Sequence, residues 1–136
     1  TGDIHTFIAG DVRTGDGVSG TTVAPELVGG SITSQTLGET DLDAGGGNVI
    51  RGNDRNPQTP PVIIETLRGI NPHVDNADFD HHGYGSVTAR RNGLTCEMVR
   101  VETIKRKTKK TLPSRDWTYR IERGNPSIKG QHGPAA

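Results

Sequence analysis

Apolar residues occur along this chain in short, separated groups whose spacing changes from one group to the next. Ile4, Phe7, Ile8 and Val12 mark a first stretch and predict a strand over Ile4–Val12. It runs into Thr14-Gly15-Asp16-Gly17, whose Asp-Gly pair favours positive φ and suits a hairpin. Thr22-Val23-Ala24 through Leu27-Val28 predicts a neighbouring strand over Thr22–Val28. From Gly29 to Pro57 the residues are mainly Gly, Ser, Thr, Asn and Asp, which reads as a long excursion loop. Its part 33–57 has few apolar anchors beyond Leu37, Leu42, Val49 and Ile50, so it is expected to be the most mobile internal segment and the first cut by a protease.

Thr59-Pro60-Pro61 then supplies a helix start, a hydroxyl cap followed by proline in the first turn where its missing N–H costs nothing. Ile63, Leu67 and Ile70 recur at helical spacing, and Asn71-Pro72 stops the run after about three turns. Beyond the polar stretch His73–His82, two apolar-rich segments flank Asn92-Gly93, a strong two-residue hairpin signal, and predict Gly83–Arg90 paired with Leu94–Ile104. Val87 and Met98 are expected to point inward. Trp117, Tyr119 and Ile121 alternate with polar neighbours and predict a further strand, leaving 124–136 as a flexible tail.

Composition narrows this picture. Leu, Ile, Val and Phe make up 28 of the 136 residues, close to the roughly one-fifth level below which a charged chain tends to disorder, so the core is thin. The net charge is zero but unevenly spread: 1–50 carry seven acids and one base, while 90–136 carry four acids and twelve bases. The single cysteine, Cys96, excludes an intrachain disulfide and a Cys-based zinc cluster. No apolar run approaches the ~18 residues of a membrane span, and no signal-peptide pattern is present.

The candidate chemistry begins at Gly2-Asp3-Ile4-His5. On an extended segment, residues i and i+2 point the same way, so a carboxylate and an imidazole can converge on metal ions, and Gly2 lets the backbone approach them. Other acidic groups are weaker candidates. Asp75, Asp78 and Asp80 fit no standard calcium loop and read as a solvated acidic turn. Asp41-Leu42-Asp43-Ala44-Gly45 begins like a calcium loop but has Gly52 where the bidentate glutamate belongs. Glu26 is either a buried acid supporting a site or a strand-end residue. Lys105-Arg106-Lys107-Thr108-Lys109-Lys110 is the sharpest charge run, and it lies between two predicted strands, where a solvated loop is the default.

Taken in order, the blocks GDIHTFIAGDVRT, APELVGGSITS, a helix, and NADFDHHGYGSVTARRNGLTCEMVRVETI resemble the C-terminal part of the PhoD-like alkaline phosphatases, a branch of the calcineurin-like metallophosphatases. The resemblance runs to about Ile104 and more loosely through WTYRIERGNPSIKG. It implies an α+β fold: the C-terminal portion of a four-layer αββα metallophosphatase sandwich, mostly antiparallel strands with one short helix and long Gly-rich loops. Residues 1–123 would be the C-terminal part of that domain, lacking its N-terminal part. The implied activity is hydrolysis of phosphoric mono- and diesters at alkaline pH, by metal-activated water or hydroxide attacking phosphorus, with iron and calcium as cofactors. The family's final G-D-x-H loop falls on Gly2–His5, making Asp3 and His5 the expected metal ligands. The HGY block falls on His82-Gly83-Tyr84 and places His82 and Tyr84 near the substrate side. A secreted or cell-surface setting is implied as well. With its other ligands upstream, this chain alone is expected to bind metal weakly and to be inactive.

A reading of a different class is a small nucleic-acid or anionic-polymer binding module using the basic stretch 90–123, with Trp117 and Tyr119 as stacking surfaces. It leaves the GDIH loop and the acidic first third unexplained. A product of a truncated gene, with the same ancestry and no activity, is the third.

Overall fold

The computed structural model describes residues 3–15, 19–37, 39, 61–104, 106–113 and 117–128. The Asp16-Gly17 turn, the loop over 40–57, the cap Thr59, Lys105 and 129–136 lie outside the described residues. The elements are β1 (Phe7–Arg13), β2 (Thr22–Val28), α1 (Pro61–Ile70), β3 (Val74–Asp78), β4 (Gly83–Arg90), β5 (Gly93–Arg100) and β6 (Thr118–Glu122). They form two antiparallel three-stranded sheets, ordered β2-β1-β3 and β4-β5-β6. Mostly antiparallel strands with one short helix is the α+β pattern expected.

The sheets meet through one small core. Phe7 and Ala9 of β1 pack with Cys96 and Met98 of β5, with Trp117 before β6, with Tyr119 and Ile121 of β6, and with Ile128. Each large buried side chain here contributes about 1.5–3 kcal/mol by leaving water, and Phe7 meets Trp117 edge-on at 6.0 Å between ring centroids. The alternation read at Trp117, Tyr119 and Ile121 is the inward face of β6. Pro25 lies in β2, an edge strand, where a missing N–H removes no bond a second neighbour would need.

Several expectations shift. β1 starts at Phe7, because Asp3 and Ile4 form a turn. β3 was unexpected: Val74–Asp78 has too few apolar residues to signal a strand, but β1 gives it a ladder partner and α1 packs against it. On α1 the half-buried residues are Ile63, Ile64 and Leu67, while Ile70 is exposed. Asn71 ends the helix by donating from both its backbone N and its Nδ2 to the Leu67 carbonyl. Glu26 is exposed on β2, so its reading as a buried acid fails.

Val87 does not point into a covered core. Met98 is 1 % exposed but Val87 is 62 % exposed. Val87 pairs with Cys96 and shares its face of the sheet, but β4 is an edge strand and no described residue covers that part of the face. The hairpin turn is also displaced by one residue. Arg90 pairs with Gly93, so Arg91 and Asn92 form the turn and Gly93 opens β5. A Cβ at Gly93 would lie 2.2 Å from the Ile121 carbonyl oxygen, so glycine serves the close approach of β6. Residues 127 and 128 are not the free tail expected there, since Ser127 and Ile128 bond Asp11 and Ile128 is fully buried.

Gly83, at the start of β4, is similarly constrained: a Cβ there would lie 1.9 Å from the Val99 carbonyl oxygen, whereas one at Gly85 meets nothing within 4 Å. Gly83→Ala is expected to cost about 2 kcal/mol or more of unfolding free energy, and Gly85→Ala to stay within about 0.5 kcal/mol, measured by urea denaturation.

Candidate functional site

The strand ends bring one group of polar residues together. Phe7 at the start of β1 pairs with Asp78 at the end of β3. Buried Thr6 donates its hydroxyl to the Asp78 carbonyl, so the Asp3–Thr6 turn enters beside the exit of β3. Five residues after Asp78 the chain starts β4, and the Gly83 N–H donates to the Ser31 carbonyl. The segment 31–39 therefore runs past both places.

This segment holds two of the expected site histidines. His5 Nδ1 lies 3.0 Å from the Gln35 carbonyl, and the backbone of His5 is left-handed, with φ 52°. It is the one non-glycine residue with positive φ among those described. Such a conformation costs about 1 kcal/mol or more in an L-residue and persists where surroundings over-determine it. With Nδ1 donating to a carbonyl, the Nε2 lone pair is left for another partner. His82 is 3 % exposed, and its Nε2 lies 2.9 Å from Glu39 Oε2. Glu39 Oε2 in turn accepts from the Thr36 N–H, while Thr36 Oγ1 accepts from the Glu39 N–H, a reciprocal pair that fixes the carboxylate. His82 Nδ1 is buried with no hydrogen-bond partner among the described residues.

Asp3 is exposed in the turn before His5. The two are thus near each other on a turn, not on the extended segment expected. Tyr84 is half exposed on β4 and makes none of the contacts above.

The strongest electrostatic feature was missed by sequence reasoning. Asp78 is not part of a solvated acidic turn; it is buried at the end of β3. Its carboxylate accepts from the Asp80 and His81 N–H groups, from His81 Nδ1 at 2.8 Å and from Arg100 Nη1 at 2.9 Å. Burial alone would raise its pKa. The His81 hydrogen bond and charge, the Arg100 hydrogen bond and the Asp80 N–H outweigh that and hold it at about 2. Arg100 also lies over the Trp117 ring, 4.5 Å from its centroid, and donates to the Pro113 carbonyl. An acid and a histidine three residues apart were the only local signal. Arg100 lies 22 residues on from Asp78, and no sequence pattern joins them.

The basic run occupies an excursion between β5 and β6 that doubles back through the Val101–Thr111 bridge and the bond from Glu102 N–H to the Lys110 carbonyl. Arg106 pairs with Glu102. Trp117 and Tyr119, needed as stacking surfaces by the polymer-binding reading, are 5 % and 0 % exposed.

A family model described as PhoD-like phosphatase matches residues 1–98. The chain belongs to the PhoD-like phosphatase family. A solved structure of PhoD superposes on this family member with a TM-score of 0.57 at 18 % sequence identity, covering 96 % of this chain and 22 % of that one. That likeness carries the fold: the chain has a partial PhoD fold and spans about 22 % of the PhoD chain's length. Comparison with curated proteins finds no match. No helix among the described residues of this PhoD-like chain is long and apolar enough to cross a membrane.

The Asp78 knot predicts an acid limb. Its folded pKa is depressed, so its stabilisation is present above the unfolded value of 3.8 and is lost as pH falls toward about 2. The loss is on the order of 2 kcal/mol. Urea denaturation at pH 5 to 2 measures it. Asp78→Asn is expected to be less stable at pH 5 by about 2–4 kcal/mol, because the Arg100 charge loses its partner, and to show a flatter acid limb.

Proposed function

We propose that this chain is the C-terminal part of a metal-dependent phosphoric ester hydrolase, with Asp3 and His5 among its metal ligands. One observation carries the reading: His5 is held in a left-handed conformation with Nδ1 on the Gln35 carbonyl, which leaves the Nε2 lone pair for another partner.

The donor chemistry fits. A carboxylate suits hard cations such as calcium and ferric iron, and an imidazole suits iron. No group of three or more metal-ligating side chains occurs among the described residues, so Asp3 and His5 would be part of a set completed by upstream residues of the same enzyme. A bound metal there would supply Lewis-acid polarisation of the phosphoryl group and acidify the attacking water. The chain's own residues orient that donor set. Gln35 fixes the His5 ring. Glu39 and buried His82 pin the segment carrying Gln35 against the start of β4, which makes His82 a positioning residue. Tyr84, exposed two residues on, is available to a substrate on that side. The open apolar face at Val87 fits a chain that normally packs against more of its own domain. A secreted or cell-surface setting goes with the same reading.

The test uses the full-length phosphatase that contains this chain. Asp3→Asn and His5→Ala are expected to lower metal content and to cut kcat on p-nitrophenyl phosphate and its bis-ester by several orders of magnitude. Thermal stability should change by no more than about 0.5–1 kcal/mol. Near-normal metal content and turnover in both variants would remove the two residues from the site.

A further inference from the structure

The outer edge of β4 offers backbone that the candidate site does not use. In an antiparallel pair, successive residues of a strand turn their N–H and C=O alternately toward the partner and away from it. The His82 carbonyl accepts from the Val101 N–H on the β5 side, and the Gly83 N–H donates to the Ser31 carbonyl on the other. The pairs from Gly83–Arg100 to Arg90–Gly93 run without a register shift, so the alternation continues: Tyr84, Ser86 and Thr88 face β5, while Gly85, Val87 and Ala89 face outward. The segment 29–31 lies along only the beginning of that edge, since a Cβ at Gly29 would lie 3.6 Å from the Gly85 N. Beyond it, no strand and no backbone bond among the described residues reaches the outward groups of Val87 or Ala89.

Unpaired edges are normally blunted, because a row of free donors and acceptors is a template for another strand. The other three edges of this fold are blunted. β2 carries Pro25 and Glu26 and pairs through an irregular register, β3 is five residues long with α1 packed against it, and β6 is five residues long and carries Arg120 and Glu122. From Tyr84 to Ala89, β4 has neither a charge nor a proline. Its two faces are sorted as well. Val87 pairs with Cys96 and Ala89 with Leu94, and these pair in turn with Tyr119 and Ile121, so one apolar face runs from the core out to β4 and is left open there. Tyr84, Ser86 and Thr88 take the opposite, polar face.

We infer that the β4 edge is the joint at which this chain takes up a strand from the upstream part of its own enzyme, bonded to Val87 and Ala89 and apolar on the side it shares with Val87. The chain superposes over 96 % of its length on a structure of which it spans 22 %, which leaves most of such a chain to supply the strand. Main-chain bonds to the two residues give the attachment, and apolar side chains beside Val87 extend the open face of the core. The inference rests on the reading of this chain as the C-terminal part of a larger phosphatase, but not on the metal ligands. Metal content and turnover test the ligands, and backbone protection tests the joint.

The experiment measures amide hydrogen exchange by NMR, residue by residue, in the full-length phosphatase that contains this chain. Ser86 and Thr88 bond β5 whatever lies outside and so calibrate the strand. Val87 and Ala89 are expected to exchange within about tenfold of them, with cross-strand NOEs to a segment upstream of residue 1. An open edge would let them exchange about a hundredfold faster or more. Val87→Pro deletes only an outward donor, so it is expected to lower the melting midpoint of the full-length enzyme by about 2 °C or more beyond the change made by Val87→Ala. Fast exchange at Val87 and Ala89, NOEs from them to another segment within 1–136, or equal midpoints for the two variants would overturn the joint. Protection that appears only as the protein dimerises would also overturn it, in favour of a second copy as the occupant.

Discussion

A carboxylate taken out of water at residue 78 constrains the rest of this structure. Left alone, a buried Asp78 would cost several kcal/mol. It is stabilised by four donors: the Asp80 and His81 backbone N–H groups and the His81 ring just after it, and Arg100 from the other sheet. Satisfying that charge places the end of β3 against the end of β5 and fixes the direction in which the chain leaves toward β4. Trp117 completes the arrangement by stacking under Arg100 while meeting Phe7 in an edge-type ring contact. The polar knot and the apolar core thus share a side chain.

Asp11 plays a parallel part near the other end of the core. Its buried carboxylate accepts from the Ile128 N–H, the Ser127 hydroxyl and, at longer range, the Thr22 hydroxyl. These bonds bring Ile128 under the sheet, where a small core gains one more large apolar residue. In a chain with so few aliphatic side chains, two satisfied carboxylates do what a larger core would do elsewhere: they decide which segments lie side by side. The cost is concentrated vulnerability, since removing a partner leaves a charge or a donor stranded in low dielectric.

The same logic explains why the candidate site residues gather at one end. The Asp3–Thr6 turn, the segment 31–39 and the start of β4 converge there because Thr6 bonds Asp78, Gly83 bonds Ser31 and His82 bonds Glu39. The strained His5 backbone is held by this convergence. At the opposite end of the second sheet, Arg90, Arg91, Arg120 and Arg123 gather around the hairpin turn with a single acid, Glu122. The two ends therefore differ in chemistry, one a mixed set of histidines and carboxylates, the other a cluster of guanidinium groups.

Local pattern in the sequence determined β2, α1, the β4–β5 hairpin and the inward face of β6, because each rests on a period or a turn signal within a dozen residues. The G-D-x-H block and its neighbours likewise pointed to the family. Only the tertiary structure decided that Val74–Asp78 is a strand, since its ladder comes from β1, more than sixty residues earlier in the chain. It alone decided that Asp78 is buried and paired, that Val87 is exposed while Met98 is not, and that the hairpin turn sits one residue before Asn92-Gly93 suggests. Each depends on which distant backbone or charge lies opposite, a fact that spacing along the chain does not encode. For the candidate site, sequence named Asp3, His5, His82 and Tyr84 as expectations, but not the segment that holds two of them, because Gln35 and Glu39 lie 30 and 43 residues from the histidines they bond.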